Sequence, residues 1–384
     1  MQQIDLIIIG GGCAGLSLAN QLVDQAYQGH ALILDSRTGY EDDRSWCFWD
    51  TQPSSHQHLI SQTWQHWRFN SVNTPVKTQA CNGYGYHYVR SADFYAYSMT
   101  QLATTGQIRL KLNAPVLSIE SEGDAWRIAT PDQVYLARQV VDTRPPTKAR
   151  LKQSSLFQCF VGVELAQADP LMPQTSLDLM TDMRVAEDAF CFNYILPISA
   201  ERTLVEVTFF ASKPIAPAMM SEYLNDLLIS KGWQQARIIR QETGLLPMGL
   251  PSSHHPSPMT TQRNNYVNAG MGGGALRASS GYGFLRIQSW AQHAASALIL
   301  NDQLVAQPAT PPILALMDRV FLRVLQQHPE LGPIIFERLL AKVSPRRFLR
   351  FMNDQASLVD LLSIIMSLPK TPFLKGLISL AWRK

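Results

Sequence analysis

Leu6-Ile7-Ile8-Ile9-Gly10-Gly11-Gly12-Cys13-Ala14-Gly15, continued by Leu16 to Leu22 and then by Ala31-Leu32-Ile33-Leu34-Asp35, decides the fold. The apolar, β-branched run reads as a buried strand, and the glycines after it as a tight turn. Gly10 and Gly12 let a pyrophosphate approach the backbone, and Gly15 lets the next helix lie against the strand. The start of that helix, at Cys13 and Ala14, then faces the phosphates. Asp35 closes the second strand twenty residues past Gly15, where an acid can hold ribose hydroxyls. With both strands, the helix and the acid in register, the N-terminal portion is committed to a dinucleotide.

Outward from this stretch, composition narrows the remaining choices. A chain of 384 residues with 46% hydrophobic content is globular and too long for one comfortable core, so two or three interleaved lobes are expected. The net charge is only +3, and no Lys/Arg run is interleaved with aromatics, which argues against a nucleic-acid partner. Cys13, Cys47, Cys81, Cys159 and Cys191 contain no C-x-x-C pair, so neither a zinc site nor a disulfide framework is expected. His254 and His255 are adjacent and cannot easily point at one metal; the surrounding Pro251 to Pro258 reads as a loop. A reducing cytoplasm is the expected compartment. Asp5 and the brevity of the first apolar run argue against a signal peptide, and no stretch of about 18 apolar residues suggests a membrane span.

From Leu314 onward helical periodicity dominates, punctuated into short helices by Pro329, Pro333, Pro345, Pro369 and Pro372. The last residues carry Lys370, Lys375, Arg383 and Lys384 with no acid, beside Phe373, Leu374, Leu377, Ile378, Leu380 and Trp382. Such a basic amphipathic end fits either the surface of an anionic membrane or a helix docked on the body. Ile108 to Ala137 alternates apolar and polar residues around turns at Gly123-Asp124 and Pro131-Asp132, as a small antiparallel meander does, and leads into Val140-Val141-Asp142. A meander returning to the nucleotide sheet through a V-V-D-like strand resembles two-dinucleotide-type flavoproteins and favours flavin over nicotinamide.

A second glycine-rich segment runs Asn268-Ala269-Gly270-Met271-Gly272-Gly273-Gly274-Ala275-Leu276-Arg277-Ala278-Ser279-Ser280-Gly281-Tyr282-Gly283-Phe284-Leu285-Arg286-Ile287-Gln288. So many glycines between a strand and a helix bring backbone amides close to something flat or anionic. This segment resembles the flavin segment of bacterial lycopene cyclases. Other blocks resemble that family in the same order: Asp43-Arg44-Ser45-Trp46-Cys47-Phe48-Trp49, Tyr88-Val89-Arg90-Ser91-Ala92-Asp93-Phe94-Tyr95, Gln158-Cys159-Phe160-Val161-Gly162, Phe192 to Pro197, Leu204-Val205-Glu206-Val207-Thr208-Phe209-Phe210, and Glu242-Thr243-Gly244-Leu245-Leu246-Pro247-Met248. Phe348-Leu349 and Pro372-Phe373-Leu374-Lys375 extend the match through the tail.

The resemblance implies an α/β, Rossmann-like FAD-binding flavoprotein fold with an inserted β-rich substrate domain and a C-terminal helical region. The expected limits are 1–70, 100–150 and 262–303 for the FAD domain, 71–99 and 151–261 for the substrate domain, and 304–384 for the helices. Gly10, Gly12, Cys13, Ala14, Gly15, Asp35, Arg44, Asp142, Gly270, Gly272, Gly273, Gly281 and Tyr282 are the implied FAD residues. The implied reaction closes β-rings on lycopene by protonation, without net oxidation, using reduced FAD with NAD(P)H as reductant, on an enzyme peripheral to the inner membrane. Glu206 is the expected acid, with Glu242 a second candidate, because a carboxyl group in an apolar pocket keeps its proton to higher pH. Trp46, Phe48, Trp49, Tyr194, Phe209 and Tyr282 are candidate walls for the cation. Val207 stands where many members carry a second acid, which weakens a two-carboxylate mechanism, and Met271 stands where many flavoproteins place an Asp. Two competing readings are a flavin monooxygenase or geranylgeranyl-type reductase on the same fold, and a non-catalytic isoprenoid-binding relative.

Overall fold

The computed structural model describes residues 3–166, 172–251 and 265–381. Its first sheet runs in the order Ile108–Lys111, Ala31–Leu34, Gln3–Ile9, Val134–Asp142, Ala125–Ala129, Ser118–Glu122, with Tyr266–Asn268 also paired to Val134–Asp142. Gln3–Ile9 pairs in parallel with both neighbours. Its apolar run is continuous because both faces are covered. Leu6 and Ile8 pack with the helices Cys13–Asp24 and Phe284–Asn301, while Ile4, Ile7 and Ile9 pack with Trp126, Ile128 and Tyr135. A Cβ on Gly15 would come 1.9 Å from the Gly10 carbonyl oxygen, so only glycine lets the helix meet the strand here. Ile108–Lys111, expected to open the meander, instead pairs in parallel with Ala31–Leu34; the meander proper is the three strands from Ser118 to Asp142.

The second sheet runs Arg237–Met248, Leu156–Ala166, Arg202–Ala211, Ala189–Pro197, Ser176–Ala186, His66–Ser71, Lys77–Ala80. Helix Pro217–Ser230 covers its back through Met220, Leu224, Leu227 and Leu228. A small sheet of Ser45–Thr51, Tyr84–Arg90 and Gln62–Trp64 stands before the front face. The expected limits at 70/71 and 99/100 therefore shift. His66–Ser71 belongs to the second sheet, and helix Ser91–Leu102 packs through Phe94, Tyr95 and Leu102 into the core beneath the first.

Among the described residues, the C-terminal region holds the α-helices Pro312–Gln327, Gly332–Lys342, Pro345–Met352, Leu358–Ser367 and Lys370–Ala381. Pro312, Pro333 and Pro345 sit in first turns, where a missing N–H costs nothing. Ser357 and Asp360 cap the fourth helix reciprocally, and Arg350 grips Asp360 at 2.8 and 2.6 Å. Among the described residues no single helix is long and apolar enough to cross a membrane; the last two are bent 113° from each other. Trp382, Arg383 and Lys384, and His254-His255 with most of their loop, lie outside the described residues.

Candidate active site

Alternation along Arg202–Ala211 sorts its side chains onto two faces. Val205, Val207, Phe209 and Ala211 face the helix behind, whereas Glu206, Thr208 and Phe210 line a cavity of about 1200 Å³ in front. The central neighbour, Leu156–Ala166, brings Gly162 opposite Glu206 on one side and opposite Glu242 on the other. A Cβ at 162 would lie 2.5 Å from Glu206 Cγ. The bare backbone thus lets two carboxyl groups from non-adjacent strands meet across it, joined by a hydrogen bond.

The two acids have different partners. Arg240 Nη1 donates to Glu242 Oε2 at 2.8 Å, and Ser45 Oγ donates to the same oxygen at 3.0 Å. Arg240 itself is held by Glu164 at 2.9 Å and Asp42 at 3.5 Å, and donates to Ser45 Oγ at 2.8 Å. Burial works against the Arg240 charge, but Glu242, Asp42 and Glu164 outweigh it and hold its pKa above the usual value. Glu206, 7% exposed, receives less help. Burial, then the neighbouring Glu242, push its pKa well above the ordinary carboxylate range, against the weaker opposing pull of Arg240. One carboxyl group is paired with a cation and the other keeps its proton, which is how a carboxyl pair divides acid and base roles.

Beside Glu206, Tyr194 occupies the opposed position on the adjacent strand. Its hydroxyl lies 2.8 Å from that of Tyr86, which lies 2.8 Å from that of Tyr282. Burial raises all three phenols above their usual pKa, and pushes the Cys47 thiol up to about 12. The locus is therefore neutral and hydroxyl-rich. Trp46, Trp49, Tyr194 and Tyr282 line the cavity as expected of the candidate walls. Phe209 does not: it is wholly buried against Tyr223 behind the sheet, because its position has the opposite parity to Glu206. Nor does Phe48, which stacks on Phe284 at 5.0 Å inside the first core.

The same cavity continues in two directions. One end reaches Gly10, Gly12, Cys13, Ala14, Asp35 and Arg44. Gly11 N–H donates to Asp35 Oδ2 at 2.6 Å, tying the glycine turn to the acid, and Arg37, unremarked in the sequence, lines the cavity between the rings of Tyr40 and Tyr95. Gly281, Tyr282 and Met271 of the second glycine segment also line it, and Gln158 Oε1 is buried against Gly281 without a hydrogen-bond partner among the described residues. An elongated dinucleotide with a flat polar ring fits this arrangement. Asp142 is otherwise engaged, accepting from Arg144 and from Tyr266 Oη at 2.8 Å. Gly15, Gly270, Gly272 and Gly273 serve the packing of the turns: a Cβ on any of the four would come within 3 Å of a neighbouring atom.

At the other end the cavity is walled by Met317, Phe321, Phe336, Phe348, Leu368 and Phe373 of the C-terminal helices. Leu358, Val359, Leu362 and Met366, and beyond them Leu374, Leu377 and Ile378, are exposed next to it. Among the described residues no group of three His, Cys, Asp or Glu side chains could hold a metal ion.

The model of a known protein family, described as lycopene cyclase protein, matches residues 5–377. The chain belongs to the lycopene cyclase family. It is 25% identical over 283 residues to the lycopene beta-cyclase of Pantoea ananas, covering 72% of this chain and 70% of that one, and 26% identical over 283 residues to that of Pseudescherichia vulneris, with the same coverage. As a member of this family it is a carotenoid-cyclising enzyme. Among solved structures, a geranylgeranyl bacteriochlorophyll reductase-like protein from Thermoplasma acidophilum superposes with a TM-score of 0.61 at 14% identity, covering 99% of this chain and all of that one. The shared fold is thus the Rossmann-like flavoprotein fold.

Proposed function

We propose that this lycopene cyclase closes β-rings on the acyclic end groups of lycopene by proton-initiated, net non-redox cyclisation, with Glu206 as the acid. The observation that carries this reading is the Glu206–Glu242 pair, set across Gly162 in the wall of an apolar cavity. Glu206 delivers its proton to the terminal double bond, and the resulting tertiary cation is attacked by the internal double bond to close the six-membered ring. A proton then leaves the ring carbon next to the cation. The carboxylate left on Glu206 lies beside the Arg240-paired Glu242, and repulsion between the two favours recapture of a proton, so the pair resets with no net change. Trp46, Trp49 and the three phenols offer ring faces and neutral oxygens to the cation, and the apolar walls keep water from quenching it.

Gly10, Gly12, Cys13, Ala14, Asp35, Arg37 and Arg44 would hold the adenosine and pyrophosphate of FAD, and Met271, Gly281, Tyr282 and Gln158 its flavin end. Bound by these residues in its reduced, anionic form, FAD would supply negative charge that favours a cation, and NAD(P)H would serve as its reductant. The exposed apolar residues of the last two helices, with Lys370 and Lys375, dock on the anionic inner membrane from the cytoplasmic side, so that the polyene enters directly from lipid.

The test is anaerobic turnover of lycopene in anionic vesicles by the purified, reduced enzyme. A ringed carotenoid formed with far less than one NAD(P)H consumed per ring is the expected result. Stoichiometric consumption would point to the redox chemistry of a reductase or monooxygenase, and no conversion at all would refute the reading.

A further inference from the structure

The Arg277 guanidinium side chain is buried at 1% exposure, and the cyclisation described above makes no use of it. Its main chain organises the loop that presents Tyr282: Arg277 N–H donates to Tyr282 O at 2.9 Å, and Arg277 O accepts from the N–H of Gly281 at 2.8 Å and of Ser280 at 3.3 Å. Its side chain leaves that loop altogether. The guanidinium donates to the Phe351 carbonyl, to Asp354 Oδ1 at 3.2 Å and to Asp318 Oδ1 at 3.4 Å, and it lies 4.1 Å over the Phe351 ring. Asp318 and Phe351 belong to C-terminal helices that wall the apolar cavity. Arg286, in the first turn of the helix after the loop, grips the other oxygen of Asp354 at 2.6 Å.

A buried ion cluster is a poor source of net stability, since desolvation offsets most of the attraction, and apolar side chains would join these elements as firmly. What the cluster supplies is a fixed direction. Here the planar fork stacks on the Phe351 ring and aims Nη1 at the Phe351 carbonyl and Asp354 and Nη2 at Asp318, while Nε is buried without a partner among the described residues, a directional arrangement that a lysine cannot reproduce. The geometry points to Arg277 as the positioning residue of the flavin-facing loop: it hangs Gly281 and Tyr282 from the helices of the apolar channel, so that these helices set where Tyr282 meets Tyr86. This role rests on the reading that the loop faces FAD.

Full-length Arg277→Lys and Asp354→Asn are compared with Arg350→Lys, which disturbs an ion pair to Asp360 confined to the C-terminal helices. Each protein is titrated with FAD, the bound flavin is followed by fluorescence and visible circular dichroism, and each is melted without FAD. Arg277→Lys should bind FAD roughly tenfold more weakly, about 1.4 kcal/mol, and alter the dichroism of the bound flavin. Asp354→Asn should do the same to a smaller extent, and it carries the test should Arg277→Lys fail to fold. Arg350→Lys should lower the melting temperature and leave flavin affinity and dichroism unchanged. Wild-type affinity and dichroism in Arg277→Lys or, where that fails to fold, in Asp354→Asn would overturn the role, as would equal changes in Arg350→Lys at equal loss of Tm. If the wild type itself binds no FAD, the flavin reading fails first and takes this role with it.

Discussion

The two faces of the strand Arg202–Ala211 share a backbone and nearly the same burial, yet do opposite work. On the back, Val205, Val207 and Phe209 fill an apolar core with Leu224 and Leu227. On the front, Glu206 and Thr208 sit side by side, flanked by Leu204 and Phe210, beside an open cavity. Neither face is more hidden than the other: Val207 is wholly buried and Glu206 7% exposed. Burial therefore does not distinguish a core position from a site position; what does is whether a partner for the polar atom has been arranged. A second acid at position 207 would point away from the cavity. Its absence costs the site nothing, because Glu242 reaches Glu206 from two strands away.

Substitutions on either face would break this contrast. Glu206→Gln should lower ring formation about a thousandfold, some 4 kcal/mol of transition-state stabilisation, while FAD binding stays at the wild-type level; single-turnover product analysis checks it. Val207→Glu makes the opposite exchange, placing a carboxyl group where no cation or donor awaits it. It should cost about 3 kcal/mol of stability in denaturant melts and bring no gain in turnover per folded molecule. Gly162→Ala tests the gap between the acids: its Cβ displaces Glu206 and should cost about a hundredfold in kcat with KM little changed.

The smallest effect is on pH dependence. Glu206 is held protonated in the folded chain above the 4.5 at which it ionises when exposed, so its contribution to stability is present below that pH and is lost as pH rises through the folded value. Wild type should therefore weaken toward alkaline pH relative to Glu206→Gln, read from paired melts across pH, and its activity should fall over the same range.

Much of this was legible in the residues themselves. The first strand, the glycine turn and Asp35 follow local rules, and local rules placed them correctly. Glu206 stood out as an acid within an apolar run. Its pairing with Glu242 did not, since it depends on antiparallel register between three strands far apart in the chain, and Gly162 looks in sequence like any other strand glycine. Phe209 differs from the expected cavity wall for a simpler reason: it lies an odd number of residues from Glu206 and so falls on the back face. Tyr86 and Arg240 gave no signal, because each takes its meaning from neighbours that only the folded sheets supply, namely Tyr194 and Tyr282 for the one and Ser45 and Glu242 for the other.

The cavity reaches the exposed Met366, Leu374 and Leu377, and the proposed entry of the polyene from lipid there has a consequence for how such an enzyme is assayed. A substrate drawn from lipid is counted per lipid molecule, not per litre. At fixed amounts of enzyme and lycopene, adding empty vesicles thins the substrate across a larger surface, and the rate should fall although nothing has been removed from the tube. Saturation would then be a mole fraction, and two laboratories using the same micromolar lycopene in different amounts of lipid would report different enzymes.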